Sequence, residues 1–258
     1  MKKDRLRLIV YISGSMAILA IAAYVLNFHS GKISGDSATW GTLGDFTGGV
    51  IGTVFSFASV ILIYLTFQRQ QETSVLQQFE TTFFNLLNIQ REMMKSVKSD
   101  APVIAGVFQP EGQAFFEKLA AELTHDYQFS PTVGTKDETR NIINEYYEER
   151  FAIAGPTLGP YYRHLYHFIK YTNSSQIFNQ KQKYMDIIQA QMSDAELYCL
   201  FYNGICYGSE KLLPLLDTYA FLENIERKTL VFDSHKKMFY PNTNFKYHSR
   251  DVVLSENN

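Results

Sequence analysis

Residues 46–67 read FTGGVIGTVFSFASVILIYLTF, a run without one charged side chain. An α-helix rises about 1.5 Å per residue, so roughly 20 apolar residues cross a hydrocarbon core of ~30 Å. The run is long enough to span, and it has a companion. Leu8 to Phe28, LIVYISGSMAILAIAAYVLNF, is equally uncharged and of similar length. A helix inside a soluble core rarely needs that length with no charge, so the pair reads as a transmembrane hairpin occupying residues 1–67. The competing reading of the first run is a signal peptide, because Lys2, Lys3, Arg5 and Arg7 precede it. The run is longer than the usual ~7–15-residue apolar region of a signal and lacks a clear small-x-small cleavage site. A retained anchor is the expectation.

The same basic residues orient the hairpin. Four precede the first span, Lys32 alone lies in the connector, and Arg69 follows the second span. By the positive-inside rule both termini are expected in the cytoplasm, with residues 29–45 outside. Cys199 and Cys206 then lie in a reducing compartment, and two cysteines are too few for a disulfide framework.

Averages over the 258 residues hide this arrangement. A formal charge of −2 and 46% hydrophobic residues describe an ordinary globular chain, as does a mean hydropathy of −0.15. The balance supplies no broad basic field, so direct nucleic-acid binding is not expected.

Beyond the second span no Gly or Pro interrupts QRQQETSVLQQFETTFFNLLNIQREMMKSV, where Val75, Phe79, Phe83, Leu86, Met93 and Val97 recur at helical steps. This predicts a helix that continues from the bilayer into the cytosol. Loops are expected around Pro102, Gly106 and Pro110, and again around Pro131 and Gly134. A short helix is expected between them, from Gln113 to Leu123. Thr135-Lys-Asp-Glu138 has capping-box spacing and should open a helix to about Ile153, ended by GPTLGP. YYRHLYHFIKY and a Gln/Lys-containing segment through Met192 read as further helices. Ser193-Asp-Ala-Glu196 is a second capping box, Pro214 interrupts the segment from Glu210 to Ile225, and residues 241–258 read as a loose tail. With no sustained alternation of strand type, the expected fold is all-α: a two-helix transmembrane hairpin, then a cytosolic helical domain over residues 68–240.

Gly44, Gly48, Gly52 and Ser56 recur every fourth residue, a spacing that lets a second helix approach closely, either the first span or another copy of the chain. Trp40 suits the membrane interface, and Asp45, just before the second run, suits a helix cap there. Arg163, His164 and His167 form the densest histidine cluster, RHLYH, with Arg163 and His167 one helical turn apart. A cation and an imidazole on one face are the equipment of acid–base RNA cleavage. The pair sits one residue closer than the Arg/His spacing of all-helical HEPN nucleases. No metal-ligand spacing, phosphate-binding loop or nucleophile elbow is present, and neither a metal nor another cofactor is expected.

Taken in order, WGTLGDFTGG, FETTFFNLLNIQREM, LGPYYRHLYHFIKY and QAQMSDAELYCLFYNG, covering residues 40–94 and 158–204, resemble the phage abortive infection proteins of bacteria. GSEKLLPLLDTYAFLENI extends the likeness. Relatives are expected to carry His at the position of Gln90 and Arg near Gln189. The resemblance implies a membrane-anchored defence protein that arrests or kills the infected cell, and it brings no catalytic residues. The leading expectation is a homo-oligomeric effector whose cytosolic domain receives an infection-sensing protein or a nucleic-acid-containing partner and whose hairpin perturbs the bilayer. A tethered ribonuclease using Arg163, His164 and His167, and a non-enzymatic scaffold for a separate sensor or toxin, are the alternatives.

Overall fold

The computed structural model describes residues 3–28, 35–99, 109–127, 134–176, 180–225 and 232–246. Among these the protein is helical, without a strand; a single antiparallel bridge joins Lys98 and Glu111. The expected all-α class is what is observed. The chain divides into two compact units, residues 1–78 and 79–258.

In the first unit α1 (Lys3–Phe28) is followed by α2 (Ser37–Phe46), a π-helical turn (Thr47–Ile51) and the start of α3 (Gly52–Ser96). The helix therefore begins well before Phe46. Asp36 is its cap, its carboxylate accepting from the Ala38 amide at 3.2 Å, whereas Asp45 lies inside α2 and caps nothing. Asp45 follows a stretch, SATWGTLGD, that winds into helix despite its glycines, so the free amides of the first turn lie at Ala38 and its neighbours. Tyr24 of α1 packs on Phe46 with ring centres 5.0 Å apart. Two segments, Arg7–Asn27 and the run beginning at Ser37, are long and apolar enough to cross a membrane. A soluble core helix would bury such residues. Here Tyr11 is 70% exposed, Ile18 68%, Phe57 69% and Ile63 69%, an outward apolar surface that costs about 25 cal/mol per Å2 in water and nothing in lipid.

The second unit takes the end of α3 and adds α4 (Gln113–Tyr127), α5 (Lys136–Ser174), α6 (Lys181–Gln189), α7 (Asp194–Cys206), α8 (Leu213–Thr218) and α9 (Asp233–Phe239). α7 is its axis: every residue from Ala195 to Ile205 is buried, and it packs on both α4 and α5. Phe79 and Phe83 of α3 meet Tyr184 of α6 at 4.9 Å each, and the Tyr184 hydroxyl donates to Glu80 at 2.6 Å. Burial and that carboxylate push the phenol up to about 12.

Both capping boxes form, with Thr135 and Ser193 accepting from the amides of Glu138 and Glu196 while those carboxylates accept in return. Pro214 occupies the first turn of α8, where its missing donor is no loss. The expected break at GPTLGP does not occur, and α5 runs through Pro156 and Pro160. Each proline removes a backbone donor and crowds the preceding turn, a cost of about 3 kcal/mol. It is outweighed by what the continuous helix buries on the far side of the break: Leu158, Tyr161, Leu165 and Phe168 are all 1% exposed or less, and a buried apolar side chain contributes about 1.5–3 kcal/mol. Thr157 adds a clamp, its hydroxyl donating to the Lys98 carbonyl at 2.7 Å and accepting from the Lys98 amide at 3.2 Å. Of the segment expected to be a loose tail, residues 247–258 lie outside the described residues. Residues 242 and 243 are tied down, with both Asn242 and Thr243 donating to the Asp217 carboxylate. The expected loops around 102–106 and 131 also lie outside the described residues.

Candidate functional site

The continuity of α5 creates the site. Because the helix does not stop at GPTLGP, Phe151 lies on one side of the two prolines and Tyr162, Arg163 and Tyr166 on the other, yet all line one cavity of ≈280 Å3 together with Gly159. The facing wall is the C-terminal end of α7 and the turn after it: Asn203, Tyr207, Gly208, Lys211 and Leu212. That turn is built on Gly208. Its carbonyl accepts from the amides of Lys211, Leu212 and Leu213 at 3.2, 2.9 and 2.9 Å. A Cβ at 208 would lie 2.9 Å from the Leu212 Cβ and 3.1 Å from the Gly204 Cα. Only glycine lets the turn fold this closely onto α7 and so carry Lys211 to the cavity.

The walls are aromatic and the charges positive. Phe151 and Tyr207 have ring centres 4.6 Å apart, and Tyr147 packs behind both at 5.9 and 5.8 Å. Asn203 donates to the Tyr147 hydroxyl at 3.0 Å in a buried contact. Burial drives the Tyr147 and Tyr162 hydroxyls far above the ordinary tyrosine value, and each perturbs the other. The Tyr162 hydroxyl is buried beside that of Tyr147. Arg163 and Lys211 are exposed, and no Asp or Glu is in the lining. Glu148 acts from beyond it, raising Tyr207 and Cys206 after desolvation has done so.

The three residues singled out in RHLYH therefore take different surroundings. Arg163 faces the cavity. His164 turns toward α3, its Nδ1 2.6 Å from the Gln90 Oε1, and its Nε2 and the Gln90 Nε2 are buried without hydrogen-bond partners. Desolvation, and then the neighbouring His167, hold the His164 imidazole below its ordinary value. His167 is exposed, its ring 5.1 Å from that of Tyr166, and it does not line the cavity. A second polar contact crosses the core nearby: the Tyr161 hydroxyl donates to Glu196 at 2.7 Å. Both thiols are free, and burial pushes Cys199 and Cys206 strongly upward, which suppresses thiolate chemistry. Among the described residues, no three potential metal ligands converge.

The packing residues expected at the membrane lie in open surroundings. A Cβ added at Gly44, Gly48 or Gly52 would meet nothing within 4 Å, so α1 does not fill that face. A π-helical turn, Thr47–Ile51, lies within this stretch. Trp40 is 56% exposed.

Sequence reasoning missed Phe151, Asn203, Tyr207, Gly208 and Lys211. The glycine at 208 carried the only local signal, since a turn after α7 was needed to return the chain.

Comparison with known families finds a match to part of the chain. Residues 155–230 fit the family model described as "Putative phage abortive infection protein". The matched segment contains Arg163, both histidines and the whole α7 wall of the cavity, together with the residues of α5 from Gly159 onward. It agrees with the likeness carried by LGPYYRHLYHFIKY and QAQMSDAELYCLFYNG. No curated protein and no solved structure matches the chain.

Proposed function

We propose that this protein is a two-pass inner-membrane effector of abortive infection, with both termini in the cytoplasm. Its helical domain receives a signal or partner produced by infection, and its spans, assembled with those of other copies, perturb the membrane. The observation that carries the reading is the outward apolar surface of α1 and the first part of α3, together with the family match over residues 155–230. The basic residues at positions 2, 3, 5, 7 and 69 support the orientation. The empty space beside Gly48 and Gly52 supports close approach of another helix. α3 runs from Gly52 to Ser96 without a break, so a change in the domain has a stiff element through which to reach the span. The effector reading is preferred to a ribonuclease because Arg163 lines the cavity and His167 does not.

The test is infection of cells expressing the protein or its Gly48→Leu and Gly52→Leu variants, with membrane fractionation as the control for expression. Wild-type cells should arrest before phage matures. Each leucine variant should fractionate normally and lose arrest, because its side chain blocks close helix approach. Full arrest by both variants would show that this face is not used.

A further inference from the structure

The cavity between α5 and the end of α7 has two properties that membrane insertion leaves unused. The first is charge. Arg163 and Lys211 both line it, both are exposed, and neither forms an ion pair with a described carboxylate. Two cations at one concavity, with no acid in the lining, favour an anion, and a guanidinium matches phosphate oxygens through paired N–H donors. The second is the aromatic wall. Tyr207 is 53% exposed, and Phe151 and Tyr166 are only partly covered, so planar faces remain for a ligand to stack upon.

Each property alone would suit a different occupant. A bare phosphate would use the cations and leave the rings in water, and an acyl chain would use the rings and leave the cations unanswered. A molecule with a planar base at one end and a phosphate at the other uses both. The volume of ≈280 Å3 falls at the lower limit of the ~300–1,000 Å3 of small-molecule sites, which restricts the occupant to about one nucleoside unit. We infer that this cavity binds a mononucleotide, its phosphate held by Arg163 and Lys211 and its base against the aromatic wall of Phe151, Tyr166 and Tyr207. As the input that the helical domain reads, this assignment rests on the effector function proposed above; as a binding site it stands by itself.

Isothermal titration of the full-length protein in detergent micelles with AMP, GMP, CMP, UMP and inorganic phosphate tests it. At least one monophosphate should bind one to one with a Kd of about 10–100 μM, and tighter than phosphate. Arg163→Gln combined with Lys211→Gln should weaken it about tenfold or more by removing charge-assisted hydrogen bonds. Tyr166→Ala should weaken the nucleotide about tenfold while leaving phosphate unchanged. Because Arg163 and Lys211 are exposed, the double variant should keep the wild-type Tm, which separates lost binding from lost folding. No binding by any monophosphate at millimolar concentration, equal binding by the double variant, or phosphate binding as tightly as the nucleotides would overturn the assignment. Membrane behaviour in infected cells is a separate readout, so a failed arrest assay with intact nucleotide binding would count against the effector function and not against this site.

Discussion

Gly208 shapes the wall of the cavity, and His164 turns away from it toward Gln90 of α3. Gly208→Ala places a methyl group where the Leu212 Cβ would be 2.9 Å away, with the backbone of Gly204 close behind. Overpacking of this kind costs about 1–3 kcal/mol, and for a chain of this size each kcal/mol lowers Tm by about 2–4 °C. Thermal melting should therefore show a clear fall in Tm, and an unchanged Tm would mean that the turn can open without loss. His164 predicts a pH effect. Its folded value lies below the ordinary 6.5 because of desolvation and then His167, so the unfolded chain takes up a proton that the folded chain resists. The stability it contributes is present above pH 6.5 and is lost as pH falls through the folded value. Between pH 7 and pH 5 the Tm of His164→Gln should fall less than that of the wild type. Parallel curves would contradict the assignment.

At the scale of elements, Glu196 ties two helices together. Its carboxylate accepts from the Ser193 amide at 2.8 Å, closing the capping box of α7, and from the Tyr161 hydroxyl of α5 at 2.7 Å. Glu196→Ala strips partners from a buried phenol and a helix-start amide, which together cost about 2–4 kcal/mol. Chemical denaturation should register that loss, whereas Glu196→Gln, which keeps an acceptor, should recover much of it. Equal loss in both variants would mean that charge, not acceptance, matters. The box was legible in the sequence because Ser193 and Glu196 are three residues apart and its physics is local. The course of α5 was not. Pro156 and Pro160 are the strongest local signals for ending a helix, and they are overridden by burial of Leu158, Tyr161 and Leu165, whose partners come from elsewhere in the chain. The start of the second apolar helix was also misjudged. The uncharged run begins at Phe46, just after Asp45, and the chain instead winds from Asp36 onward.

For the whole molecule, the all-α class and the two apolar segments were readable from periodicity and charge alone, since lipid imposes its length requirement directly on the sequence. The cavity was not readable. Arg163 on α5 and Lys211 on the turn after α7 meet only after α5 has crossed its prolines and the Gly208 turn has folded back on α7. The RHLYH cluster drew attention to the right helix, but of its arginine and two histidines only Arg163 lines the cavity. The domain so formed has a basic, aromatic cavity, and α1 and the first part of α3 present apolar side chains outward with free space beside Gly48 and Gly52. Receiving a signal in one part and altering the membrane through the other is the central claim. It is tested most directly by following membrane potential with a voltage-sensitive dye through a single infection cycle in cells carrying the protein. Depolarisation that begins before phage matures, and that is absent from infected cells lacking the protein, is the predicted result. An unchanged potential in cells that have nevertheless arrested would contradict it.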